Sequence, residues 1–145
     1  MVRNGMRIKR EGDILFVVFE RGEGFVDCMK EVLNSSIMGN VGIVITALGM
    51  VKNAQIGYGV YKDNKVKYQK AVFGEPLELL GLSGFIIKDE KLPLHFHVYL
   101  GGPNGNIVGG HLFDFEVFTF VEMALLMSNY PLKRVLKNGL FLIDF

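Results

Sequence analysis

From Val41 to the C-terminus the sequence is a succession of short β-branched and aromatic stretches, interrupted by glycine, asparagine and aspartate. VGIVITALG reads as a buried strand, and AQIGYGVY and KVKYQKAVF as half-exposed strands turning at Asp63-Asn64. LELLGLSGFII ends in the charged turn Lys88-Asp89-Glu90-Lys91, and LPLHFHVYL, IVGGHL, EVFTFVEMALLM and GLFLIDF follow. Connections this short cannot hold the helical crossovers that parallel strands need, so the strands must pair mainly antiparallel.

The N-terminal third is different. ILFVVFE (14–20) is strand-like. In GEGFVDCMKEVLNSSI the apolar residues Phe25, Cys28, Met29, Val32, Leu33 and Ile37 recur at 3.6-residue spacing, which predicts an amphipathic helix ended by Gly39-Asn40. Cys28 falls on its buried stripe as a small core residue. Gly22-x-Gly24 ahead of the helix reads as a turn with a helix start, rather than an anion cradle. The expected fold class is α+β, a mainly antiparallel sheet with one main amphipathic helix, in a single domain over residues 1–145.

Composition narrows the function. Half the residues are hydrophobic and mean hydropathy is +0.29, more apolar than a small isolated domain needs, so an oligomer is expected. Lys and Arg number 16 against 15 Asp and Glu, a net charge of +1 without the basic excess typical of phosphate-binding domains. With Cys28 as the single cysteine no intrachain disulfide can form, which suits a reducing cytoplasm. The N-terminal stretch has no apolar segment like that of a signal peptide. The longest apolar stretch, Val41 to Val51, is far short of the ~20 residues that span a bilayer. A cytoplasmic protein without membrane contact is expected.

All three histidines lie in one segment. In LPLHFHVYL, Leu94, Phe96, Val98 and Leu100 alternate with Pro93, His95, His97 and Tyr99, so His95 and His97 share one face. Pro103-Asn104-Gly105-Asn106 contains the hairpin dipeptide Asn-Gly and folds IVGGHL back alongside, bringing His111 toward the pair. Gly109 and Gly110 permit a bulge or close backbone approach that re-aims the His111 ring. Three neutral imidazoles on one point make a site for Zn²⁺ or another divalent ion with an open fourth position. The plain alternative is three unrelated polar residues on a wet sheet face. Glu122, Glu78, Glu116 and Asp114 are the candidate carboxylates. Glu122, which interrupts the apolar run FTFVEMALLM, and Glu78 are the candidates for a supporting shell around the imidazoles.

The string PLHFHVYLGGPNGNIVGGHL resembles the signature of the PPC (plants and prokaryotes conserved) domain: H-x-H on a strand, a glycine turn, then G-G-H-L. PLELLGLSGFI resembles the family's acidic, aliphatic and Ser/Thr-Gly segment, and FTFVEMALL its strand with a buried Glu. The resemblance runs from about Met6 to the C-terminus. It implies an α+β homotrimer with His95, His97 and His111 as metal ligands. It implies a stand-alone domain for interaction or ligand sensing, with a small-molecule ligand at the metal. Because acetolactate decarboxylase has a related fold, it also implies an alternative, a His₃-metal lyase or hydrolase that could recruit Glu122, Glu78 and Arg134. A third implication is DNA binding. The plant proteins carry AT-hooks, however, and no R-G-R-P-like core occurs in this sequence. The closing segment PLKRVLKNGLFLIDF, with Lys133, Arg134 and Lys137, reads as an edge or subunit contact.

Overall fold

The computed structural model describes residues 5–145. Nine strands and one short helix follow in the order β1 (Arg7–Glu11), β2 (Ile14–Glu20), α1 (Phe25–Leu33), β3 (Val41–Lys62), β4 (Lys65–Phe73), β5 (Leu77–Ile87), β6 (Leu94–Gly101), β7 (Ile107–Ser128), β8 (Lys133–Lys137) and β9 (Leu140–Asp144). Strand makes up 67% of the described residues and helix 6%. The expected α+β class with a main helix is therefore corrected to a mostly antiparallel β fold carrying one nine-residue helix. Among the described residues no helix is long and apolar enough to cross a membrane.

The helix is shorter than its apolar periodicity suggests. It ends at Leu33, and the backbone turns through Asn34 and Ser35, with the Ile37 N–H donating to Ser35 Oγ (3.3 Å) and the Met38 N–H to the Ser35 carbonyl (3.2 Å). Asn and Ser compete locally for backbone groups, so the run Asn34-Ser35-Ser36 stops the helix before Gly39-Asn40. The other end has Gly24 as N-cap and no side-chain cap of its own. Asp114 of β7 substitutes, its Oδ1 accepting from the Val26 N–H at 3.0 Å and from its own neighbour Phe115 at 2.9 Å. A carboxylate thus already occupies the helix N-terminus after Gly22-x-Gly24.

Seven strands form one sheet in the order β1-β2-β7-β6-β5-β3-β4, and a further antiparallel pairing of β3 with β7 closes the run β7-β6-β5-β3 on itself. Both 22-residue strands make this possible by changing partners along their length. β3 meets β5, β7 and β4, and β7 meets β6, β3 and β2. Register shifts between Val44 and Ile56 of β3 mark the bulges that bend them. Those bulges break strict alternation, which is why each strand reads in sequence as two shorter ones. β1 and β8 have a different problem: RIKRE and KRVLK hold too few apolar residues to show a strand period.

A single core fills the interior, and Phe25 of α1 lies at its centre. Its ring stacks on Phe115 (4.5 Å between centroids) and meets Phe96 edge-on (5.3 Å) and Phe19 at 5.8 Å. Phe96 sits between His95 and His97 on the opposite face of β6, so the helix packs on the back of the strand that carries them. β8 and β9 stand apart as a two-stranded sheet, paired with no strand of the main one among the described residues.

Candidate metal centre

The alternation expected for β6 is present. Phe96, Val98 and Leu100 are buried, while His97 and Tyr99 are exposed and His95 is half-buried on the other face. The return to β7 uses a three-residue loop rather than the two-residue turn that Asn-Gly suggests. The Gly105 N–H donates to the Gly102 carbonyl (3.0 Å), the Gly102 N–H to the Asn106 carbonyl (2.8 Å), and Gly105 takes the left-handed φ of 77°. The resulting register sets His97 directly opposite His111. Gly109 and Gly110 serve close approach: a Cβ on Gly109 would lie 2.7 Å from the Val98 carbonyl oxygen, and one on Gly110 2.7 Å from that of Gly57. β7 is thereby held tight between β6 and β3 where it presents His111.

The three imidazoles form a compact triangle, with centroid separations of 5.2 Å (His95–His97), 5.3 Å (His95–His111) and 5.8 Å (His97–His111). One nitrogen from each lies within 4.8 Å of the others. Tetrahedral ligands at zinc sit about 3.3 Å apart, as follows from the ~2.0–2.1 Å Zn–N bond, so modest ring rotations close the set. Tyr68 from β4 (5.1 Å) and Phe113 (4.9 Å) wall the His111 ring, and Lys70 Nζ lies 4.4 Å from the Phe113 centroid. Beside His95 and His97 is a hollow of about 230 Å³ lined by Ser83, Gly84 and Phe85. Tyr68 and Phe113 were not anticipated from sequence; their only signal was strand alternation.

Burial and mutual repulsion disfavour the charged form of His95 and His111. Burial, then repulsion from His111, His97 and Arg134, lowers the His95 pKa to about 4. Burial and His97 also lower that of His111. Neutral imidazole is the form that ligates a metal. His111 Nδ1 is buried and has no hydrogen-bond partner. A buried polar atom without a partner is rare and costly, and a cation coordinated through that nitrogen would satisfy it. The residues therefore fit a divalent ion.

The candidate carboxylates lie elsewhere. Among the described residues no Asp or Glu joins the three histidines in the cluster. Glu122 is exposed between Val18 of β2 and Leu48 of β3, so the buried glutamate implied by the resemblance is at the surface of this chain. Glu78, also exposed, pairs with Gly101, five residues along β5 from Ser83, or about 17 Å at strand rise. Asp114 caps the helix, and Glu116 bonds Lys52 (3.4 Å) and Asn53 (3.1 Å).

Comparison with known proteins identifies the family. None of the curated proteins matches the sequence. A metal-containing protein from Archaeoglobus fulgidus is 32% identical, with full coverage of both chains and a TM-score of 0.76. A plant- and prokaryote-conserved (PPC) protein from Pyrococcus horikoshii is 24% identical over 100% of this chain and 98% of its own, with a TM-score of 0.77. A protein from Bacteroides thetaiotaomicron, provisionally described as DNA-binding, shares the fold with a TM-score of 0.83 at 18% identity, over 98% of this chain and 99% of its own. The model of the Plants and Prokaryotes Conserved domain matches residues 6–128, and the chain belongs to that family.

Proposed function

We propose that this chain is a metal-binding member of its family that holds Zn²⁺ or another divalent cation through His95, His97 and His111, assembles as a homotrimer, and serves interaction or ligand sensing. The observation that carries this reading is the convergence of three imidazoles with His111 Nδ1 buried and unpartnered. The metal content of the Archaeoglobus relative supports it. Exposed apolar residues such as Ile45, Leu48, Tyr61 and Val72 provide surface for subunit contact.

A bound divalent ion would supply an open, Lewis-acidic position. The histidines orient it, and Tyr68 and Phe113 exclude water from one side of His111. Binding is favoured over catalysis because no carboxylate stands in the cluster, among the described residues, to act as general base. The balance of 16 basic and 15 acidic residues likewise disfavours duplex DNA as the main ligand.

The test is zinc titration of tag-free protein with elemental analysis and sedimentation. About one zinc per chain and a trimer are expected. Loss of supporting residues alone costs ~10–100-fold in metal affinity, so His97→Ala should cost at least about 100-fold. Failure of the unsubstituted protein to retain zinc would overturn the metal reading, and a monomer at micromolar concentration would overturn the trimer.

A further inference from the structure

Arg134 has no assigned role, and its environment is unusual. It lies on β8, and among the residues of β8 and β9 it and its cross-strand partner Ile143 are the half-buried pair; the other eight are exposed. These two positions mark the side of the hairpin turned toward the body of the protein. Arg134 Nε and Nη2 are both buried and neither has a hydrogen-bond partner. Together these nitrogens form one edge of the guanidinium, the geometry that grips a carboxylate or phosphate through two parallel N–H···O bonds. Leaving two charged donors out of water and unpaired is costly, so the edge is shaped for an acceptor that the chain does not itself provide.

The location connects that edge to the metal centre. The charge of Arg134 acts on the His95 imidazole, and Glu90 in the β5–β6 turn acts on Arg134 without forming an ion pair with it. His95 and that turn lie at one end of the β5–β6 hairpin, and the guanidinium interacts electrostatically with both. Charge counting then identifies what is missing. Three neutral imidazoles and a divalent cation carry +2, Arg134 adds +1, and the cluster contains no carboxylate among the described residues. Glu90 offsets only part of this. A site so positive, in a partly desolvated place, attracts anions. The adjoining hollow of about 230 Å³ is below the usual 300–1,000 Å³ of drug-sized pockets, which limits the ligand to a small molecule.

We propose that Arg134 is the anion-recognition residue of the three-histidine centre, and that the ligand taken there is a small molecule whose carboxylate or phosphate group bridges the metal's open position and the Nε/Nη2 edge. This rests on the metal reading above. Among the described residues the β8–β9 hairpin pairs with no strand of the main sheet, so a shift of the side chain or of the hairpin admits the ligand to an edge that is covered without it.

The experiment uses the full chain loaded with Co²⁺, whose visible spectrum reports changes in coordination. Glycolate and inorganic phosphate are titrated separately, with acetamide as the neutral control. At least one anion should give a saturable spectral change, acetamide none, and the stronger of the two distinguishes a carboxylate from a phosphate ligand. Arg134→Gln should weaken that anion by about tenfold to 100-fold, the scale of charged hydrogen bonds, while cobalt loading is retained. Arg134→Lys, which keeps the charge but not the fork, should fall between and covers the event that the Gln variant misfolds. A protein that takes up no cobalt overturns both this proposal and the metal reading. Cobalt uptake with no anion response, or an anion affinity unchanged in both variants, overturns this proposal alone. So does a variant whose only change is a lower oligomeric mass, because Arg134 would then pair with a neighbouring subunit.

Discussion

Two hairpins of this chain have nearly the same local design and very different surroundings. The β6–β7 hairpin pairs five positions near its turn, and the β8–β9 hairpin also pairs five. Each turns on Asn-Gly, at Asn104-Gly105 in one and at Asn138-Gly139, with φ of 52° and 79°, in the other. In the first, the inward residues Phe96, Val98, Leu100 and Leu112 belong to the core, and the histidines on the outer face inherit that rigidity. In the second, Leu136, Leu140 and Leu142 are exposed and no residue is fully buried. Turn chemistry is enough to make a hairpin, but burial of one face is what gives a side chain a fixed address. Metal ligands need that fixed address. A residue that meets a ligand entering from outside, as proposed for Arg134, is better carried on the loosely attached element.

The strongest way to break this contrast is to remove the anchor beneath the histidines. Phe96→Ala empties a buried site that contacts Phe25. It should lower unfolding stability by about 3–5 kcal/mol, measured by denaturant titration of the apo protein. Zinc affinity should fall with it, because His95 and His97 flank the lost ring. A loss under about 1 kcal/mol would mean that the histidine strand is held by something other than the core.

The second test leaves the core in place and disturbs the approach of β5 to β6. Gly84 has φ of 154°, and a Cβ there would collide with the His95 carbonyl oxygen and approach Phe96. Gly84→Ala should cost about 1–3 kcal/mol, the range for overpacking. It should also weaken zinc more than an equally destabilising change far from the site, since the forced shift is at His95 itself. Thermal melts with and without zinc separate the two effects.

How much of this was legible beforehand follows from the same contrast. The β6 alternation and the clustering of His95, His97 and His111 could be read because every second residue of LHFHVYL is apolar, leaving one consistent register. The Asp63-Asn64 turn was readable too, and both residues adopt the left-handed φ (54° and 59°) that a two-residue hairpin requires. The continuity of β3 and β7 was not, because bulges shift the apolar face within each. Nor was the balance between sheet and helix, since Ile37 continues the 3.6 period of α1 after Asn34 and Ser35 have ended the helix. At the site, sequence could nominate Glu122 and Glu78 only as polar residues in apolar runs. Their distance from the triangle depends on which strands meet, and closure of the sheet through β3–β7 decides that.

A smaller effect is expected from pH, because His95 is only half-buried. Its pKa is about 4 when folded and about 6.5 when unfolded. Between those values the unfolded chain binds the extra proton, so this residue destabilises the apo fold progressively as pH falls from 6.5 and adds nothing further below about 4. His111 shifts in the same direction. Comparing unsubstituted protein with His95→Gln in denaturant titrations from pH 7 to 4 isolates this contribution. A pH slope identical in the two proteins would show that His95 is not held neutral by the fold.

The smallest effect belongs to the other hairpin. Leu136 is 64% exposed, so Leu136→Ser removes little buried area and should change the stability of a single chain by no more than about 0.5 kcal/mol. In a trimer the result depends on what that surface meets. If β8–β9 lies free, the melting temperature of the variant follows that of the unsubstituted protein at every concentration. If it packs on a neighbouring chain, the substitution weakens assembly, and the difference in melting temperature grows on dilution as mass action separates the subunits. The second outcome would qualify the comparison: the hairpin would lack a fixed address within one chain and acquire it only from a neighbour. Arg134 would then approach His95 with a geometry set by assembly, and the anion titrations would depend on protein concentration as well.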